Sequence, residues 1–139
     1  MAALAGDELY QAGGEEEDEP EVKVVSTIHG DEPFGTALCL DLIDRLLGGY
    51  GADAAITELV DETDIWVLPI LNPDGYVGAT RTNAQGVDLN RDFPRYPGEF
   101  AAGTVYDGAP VLTAGRQAET AAAMAWIADN SFVLSAQLH

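Results

Sequence analysis

Val22-Lys23-Val24-Val25-Ser26-Thr27-Ile28-His29-Gly30-Asp31-Glu32-Pro33-Phe34-Gly35 is the stretch of this 139-residue chain from which its fold can be read. Residues 22–28 are rich in β-branched side chains and apolar on both faces, as a strand buried inside a mainly parallel sheet requires. His29 falls at the carboxyl end of that strand, the side of an open α/β sheet on which ligands bind. Glu32 follows three positions later, and an imidazole and a carboxylate so placed point to a metal. Two histidine nitrogens, one carboxylate and an open fourth position are one of the ligand sets of zinc. The second histidine has to be His139, because the chain holds only two.

Beyond Gly35, residues 36–47 predict an amphipathic helix. Leu38, Cys39, Leu42, Ile43 and Leu46 share one face, Asp41, Asp44 and Arg45 the other, and Gly48-Gly49 closes it. A shorter helix is expected over residues 53–60. Residues 65–71 read as a second buried strand, with Pro69 marking a bulge or an irregular end. Asn72-Pro73-Asp74-Gly75 reads as a turn. Residues 94–114 hold three prolines and three glycines and read as a long loop, of the kind that often serves as a lid or binding loop. The last helix is expected over residues 115–129, with Ala118, Ala121, Ala122, Ala125 and Trp126 available to the sheet. A third strand over residues 132–138 then ends, like the first, at a histidine. Strands alternating with helices predict one α/β domain, a mostly parallel twisted sheet flanked by helices.

Charge narrows the function classes. Residues 1–20 carry Gly13-Gly14 and the run Glu15 to Glu19 without apolar periodicity, and are expected to be a mobile acidic lead-in. The formal net charge is -18, and the eight acids of residues 7–21 still leave 16 against 6 bases elsewhere, so the acidity belongs to the whole chain. Nucleic acid and anionic membrane bind through Lys and Arg and are set aside as partners. No stretch approaches the ~20 apolar residues of a membrane span. Residues 1–7 lack the basic region and long apolar run of a signal peptide. Cys39, the single cysteine, sits among leucines and is expected to be a buried core thiol.

Residues 76–93 concentrate the polar chemistry in Arg81, Asn83, Asp88, Asn90, Arg91 and Asp92. Three of the six cations, Arg81, Arg91 and Arg95, lie within 15 residues of one another. One reading is an anionic substrate group, which arginine grips through two parallel hydrogen bonds. The other is pairing with local aspartates, where a surface pair contributes about 0–1 kcal/mol. Charge alone favours the second.

Taken in order, His29-x-x-Glu32, Asn72-Pro73-Asp74-Gly75-Tyr76, Arg81, Gly86-Val87-Asp88-Leu89-Asn90-Arg91-Asp92-Phe93-Pro94 and a strand ending in His139 resemble the zinc metallocarboxypeptidases. The gap of nine from Arg81 to Asn90 most resembles the carboxypeptidase N/E branch. Singly these motifs are weak, but five in one order are specific. The resemblance covers residues 22–139 and implies a three-layer α/β/α fold, with residues 21–139 as the N-terminal part of a carboxypeptidase catalytic domain. It implies one Zn2+ held by His29, Glu32 and His139, and Asp88 accepting a hydrogen bond from His29 to fix its tautomer. Arg81 would polarise the scissile carbonyl and stabilise the oxyanion, while Asn90 and Arg91 would hold the substrate's terminal carboxylate. Asp92 departs from the asparagine usual there, and its charge is expected to weaken the grip of Arg91.

The implied activity is hydrolysis of the C-terminal bond of peptides or proteins by zinc-activated water. In the family a general-base glutamate and a substrate-binding tyrosine follow the third ligand, whereas this chain stops at His139. The expectation is therefore a truncated domain with weak activity of its own, since a missing general base costs about 10²–10⁴-fold. The resemblance implies a secreted or periplasmic setting. Zinc deacylases of the aspartoacylase-like type share the His-x-x-Glu and Asp-Leu-Asn-Arg elements, but Asn72 to Tyr76 argues for a peptidase. A non-catalytic carboxylate-binding remnant would need Arg91 more than Arg81.

Overall fold

A computed structural model describes residues 19–94 and 113–139 of the chain. Its sheet contains β1 (Glu21–Ser26), β2 (Asp64–Leu68) and β3 (Leu134–Leu138) in the order β2-β1-β3, with both pairings parallel. The strand that is apolar on both faces is thus the central one. The register sets Lys23 between Trp66 and Ser135, and Val25 between Leu68 and Gln137. Parallel neighbours need crossover connections. The first carries α1 (Phe34–Gly49) and α2 (Ala54–Asp61); the second carries α3 (Pro73–Gly78), a 3-10 turn at Leu89–Arg91 and α4 (Ala118–Ala128).

The two faces of β1 meet different helices. A methyl added at Gly35 would lie 2.1 Å from Ser26 Oγ, so α1 approaches the strand at a distance only glycine allows. On the opposite face Val25 joins Ile28, Leu71, Leu89 and Ala123 in the core, with Leu68, Phe93 and Trp126 packed against it. Trp126 of α4 makes edge contacts with Phe132 and Trp66 at centroid distances of 4.9 and 6.1 Å, and Lys23 Nζ sits 4.4 Å from the Phe132 ring centre. Helices on both sides of a parallel sheet give the expected three-layer α/β/α arrangement.

Several expectations shift in detail. α1 begins two residues earlier than its apolar pattern, because Pro33 supplies the carbonyl that accepts from Ala37 N–H. Gly48 and Gly49 lie inside the helix, and the chain turns away through Tyr50 and a left-handed Gly51 at φ 75°. The buried stripe of α1 runs through Gly35, Thr36 and Cys39, leaving Leu38 exposed; Cys39 is the buried thiol expected. In α4 the buried positions are Thr120 and Ala123 instead of Ala118, Ala122 and Ala125. An alanine-rich helix has too little hydrophobic contrast to declare its inner face. β2 stops at Leu68, before Pro69, which has no N–H to give a ladder. Asn72-Pro73-Asp74-Gly75 opens α3: Asn72 is the N-cap and Pro73 occupies the first turn, where its missing N–H costs nothing. Residues 1–18 of the lead-in and 95–112 of the expected loop, including Arg95, lie outside the described residues.

Candidate metal centre

The chain leaves β1 through Thr27, whose φ of 54° is left-handed and unfavourable for a β-branched side chain. Hydrogen bonds hold it there. The Thr36 hydroxyl donates to the Pro69 carbonyl (3.1 Å), so the Thr27 hydroxyl donates to Thr36 Oγ1 (2.7 Å) and that of Ser26 to Thr27 Oγ1 (3.0 Å). The backbone of the following crossover then closes on this bend, with Leu71 N–H donating to the Ser26 carbonyl and Asn72 N–H to that of Thr27, both at 3.0 Å. Ile28 is anchored in the core and His29 comes to rest fully buried.

A turn closed by Glu32 N–H on the His29 carbonyl (3.2 Å) swings the Glu32 carboxylate over the imidazole. His29 Nδ1 lies 3.1 Å from Glu32 Oε2, and His29 Nε2 lies 3.1 Å from Asp88 Oδ1. β3 runs beside β1, so its end delivers His139 to the same place. The two imidazoles meet edge to face at 4.5 Å, and His139 Nε2 lies 3.6 Å from Glu32 Oε2. One ligand atom from each of His29, Glu32 and His139 falls within 4.8 Å of the other two.

Asp88 caps the 3-10 turn by accepting from Asn90 N–H (2.9 Å), and its second oxygen accepts from Arg81 Nε (3.0 Å). Burial pushes the Asp88 carboxyl up, but the hydrogen bonds from His29, Arg81 and Asn90 and the charge of Arg81 outweigh it and hold the group below its usual range. Arg81 Nη1 also lies 3.5 Å from Glu32 Oε1. Arg81 therefore pairs with a local aspartate, the second of the two readings of its charge, and does so beside the cluster. Arg91 and Asn90 are exposed on the 3-10 turn, with Arg91 Nη1 donating to the Asn90 carbonyl (3.1 Å). The Asp92 carboxylate accepts from Gln117 N–H (2.7 Å) at the start of α4, so its charge is engaged by that helix.

The donor set fits a divalent cation. An imidazole with its single proton on Nε2, facing Asp88, presents the Nδ1 lone pair to a carboxylate oxygen 3.1 Å away, and two such acceptors converge stably only around a cation or proton. Glu32 and Asp88 bring two negative charges against the single positive charge of Arg81.

Three residues that hold this geometry were not legible as site residues. Asn72 is fully buried; its Oδ1 accepts from Gly75 N–H (2.9 Å) and its Nδ2 donates to the Ile28 carbonyl (3.2 Å). A methyl on Gly30 would fall 1.8 Å from the Gly75 carbonyl carbon, so the His29 loop and α3 touch through two glycines. The local signal was the Asn72-Pro73-Asp74-Gly75-Tyr76 motif, which marks the place but gives the amide no role and whose Asn-Pro is also a helix start.

The sequence profile described as zinc carboxypeptidase matches residues 8–139. The chain belongs to the zinc carboxypeptidase family. It is 40% identical over 129 residues to carboxypeptidase M of Mus musculus, covering 86% of this chain and 26% of that protein. To the carboxypeptidase N catalytic chain of Rattus norvegicus it is 37% identical over 141 residues, covering 87% of this chain and 31% of that one. Among solved structures, the metallo-carboxypeptidase from Burkholderia cenocepacia superposes with a TM-score of 0.68 at 25% identity, over 91% of this chain and 30% of the other. The chain thus spans less than a third of the length of these relatives. Within the zinc carboxypeptidase fold, the parallel sheet and its flanking helices are the shared part.

Proposed function

We propose that residues 21–139 form the N-terminal part of a catalytic domain that removes the last residue of a peptide or protein, with one zinc ion held by His29, Glu32 and His139. The observation that carries this reading is the convergence of His29 Nδ1, Glu32 and His139, with Asp88 behind His29 Nε2. A zinc ion there would supply the Lewis acidity that makes water a nucleophile near neutral pH. The chain's own residues do the rest. Asp88 keeps the proton on Nε2 and so keeps Nδ1 available as a ligand. Arg81 has N–H groups beyond those facing Asp88 and Glu32, and these meet negative charge that develops on the scissile carbonyl oxygen. Asn90 and Arg91 orient the substrate by its terminal carboxylate, which confines cleavage to the chain end.

The resemblance places the general base after the third ligand in sequence. We infer that none of residues 1–139 fills that role and that the isolated chain turns over slowly. A secreted or periplasmic setting is part of the same reading; among the described residues no helix is long and apolar enough to cross a membrane.

The test is zinc titration of the chain together with peptide binding. One ion per chain is expected, lost on Glu32→Ala. A peptide with a free C-terminal carboxylate should bind more tightly than its C-terminal amide, and Arg91→Ala should remove that preference, by about 2–5 kcal/mol if the pair is desolvated. No stoichiometric zinc in the wild-type chain would sink the proposal.

A further inference from the structure

The buried amide of Asn72 does more than start a helix. Its side chain is completely enclosed, yet each polar atom has a partner on a different segment. Oδ1 accepts from Gly75 N–H (2.9 Å) in α3, Nδ2 donates to the Ile28 carbonyl (3.2 Å) next to His29, and the Arg81 carbonyl lies at the limit of the same Nδ2 (3.5 Å). Its backbone N–H bonds the Thr27 carbonyl (3.0 Å). The peptide units flanking the metal loop, the helix beside it and the arginine of the cluster thus share one rigid amide. A serine, threonine or aspartate would cap α3 equally well. None of them can cap the helix and also donate to the Ile28 and Arg81 carbonyls from that position.

We infer that Asn72 is a positioning residue: through Nδ2 it fixes the carbonyl preceding His29, and with it the direction of the His29 ring, relative to Arg81. This rests on the zinc reading above and extends it to a residue that touches neither metal nor substrate. The tight approach of Gly30 to Gly75 gives the amide its leverage, because a loop that meets α3 at glycine distance cannot shift without moving the carbonyl that Nδ2 holds.

Asn72→Ser separates the two roles, since the hydroxyl can still accept from Gly75 N–H but does not reach both carbonyls. Asn72→Asp keeps the shape, caps the helix and puts an acceptor where Nδ2 donates. Asp53→Ala is the control: it removes the cap of α2, where Asp53 accepts from Ala55 and Ile56 N–H, away from the cluster. Zinc affinity is measured by competition with a chromophoric chelator on the full chain, alongside thermal melting. Asn72→Ser is expected to bind zinc about 10-fold more weakly than wild type, in the range typical for residues that hold a ligand in place. Asn72→Asp is expected to lose more, and Asp53→Ala to lower the melting temperature without changing zinc affinity. Wild-type zinc affinity in Asn72→Ser would overturn the inference and leave Asn72 a helix cap, with the zinc reading intact. Unfolding of both Asn72 variants would also overturn it, making the amide part of the fold's foundation instead of a device of the site. Absence of zinc binding in the wild-type chain would count against the proposed function itself.

Discussion

His29 and His139 both follow a strand of the same sheet, yet they are held in opposite ways. His29 is fully buried, has a carboxylate at each ring nitrogen, and follows a bend fixed by Ser26, Thr27, Thr36 and Asn72. His139 has 45% of its side chain exposed, with Glu32 at 3.6 Å and the edge of the His29 ring as neighbours. β1 is flanked by strands on both sides, whereas most of β3 is open to solvent. The fold thus fixes the His29 side of the cluster in advance. Among the described residues His139 is held by far fewer contacts.

The largest loss is expected on the His29 side. Gly30→Ala drives a methyl into the Gly75 backbone at 1.8 Å, and chemical denaturation should show a loss of about 3 kcal/mol or more, at the upper end for overpacking. Gly48→Ala, with nothing within 4 Å in α1, should instead be neutral or stabilising by up to about 1 kcal/mol.

A direct comparison of the two histidines comes next. His29→Ala leaves two carboxylates without their buried partner and should lower the stability of the metal-free chain by about 1–3 kcal/mol. His139→Ala should stay within about 0.5 kcal/mol of wild type by the same denaturation curves. Both should lose zinc; equal stability losses would refute the asymmetry.

Asp88→Asn removes the charge behind His29 while keeping its shape. Zinc affinity measured by chelator competition should fall about 10–100-fold, with little change at His139 in the ring resonances of the metal-free protein. The smallest effect belongs to the exposed Asp41–Arg45 pair on α1, 2.7 Å apart but more than half exposed on both sides. Asp41→Ala should change stability by no more than about 0.5 kcal/mol, which sets the scale against which the cluster's pairs are read.

Much of this was legible in the chain. The β-branched run of residues 22–28 identified the central strand, because a strand buried on both faces has no polar side to show. The inner face of α1 was visible through Cys39, Leu42, Ile43 and Leu46, whereas the alanines of α4 concealed theirs. Asn72-Pro73-Asp74-Gly75 obeys the rules of a turn, yet in the structure it opens α3. Burial of the Asn72 amide settled the matter, and burial is not a local property.

Residue identity and periodicity act over a few positions, so the chain alone carried the main strands and helices, the mostly parallel α/β class and the candidate side chains His29, Glu32 and His139. That β3 lies beside β1, bringing His139 to His29 across 110 residues of chain, emerges in the folded molecule alone. The same holds for Arg81, which bridges Asp88 and Glu32, and for Asn72, which ties the His29 loop to α3. Strand order in a parallel sheet depends on which distant surfaces bury each other after the crossovers close, and no short window of residues encodes that.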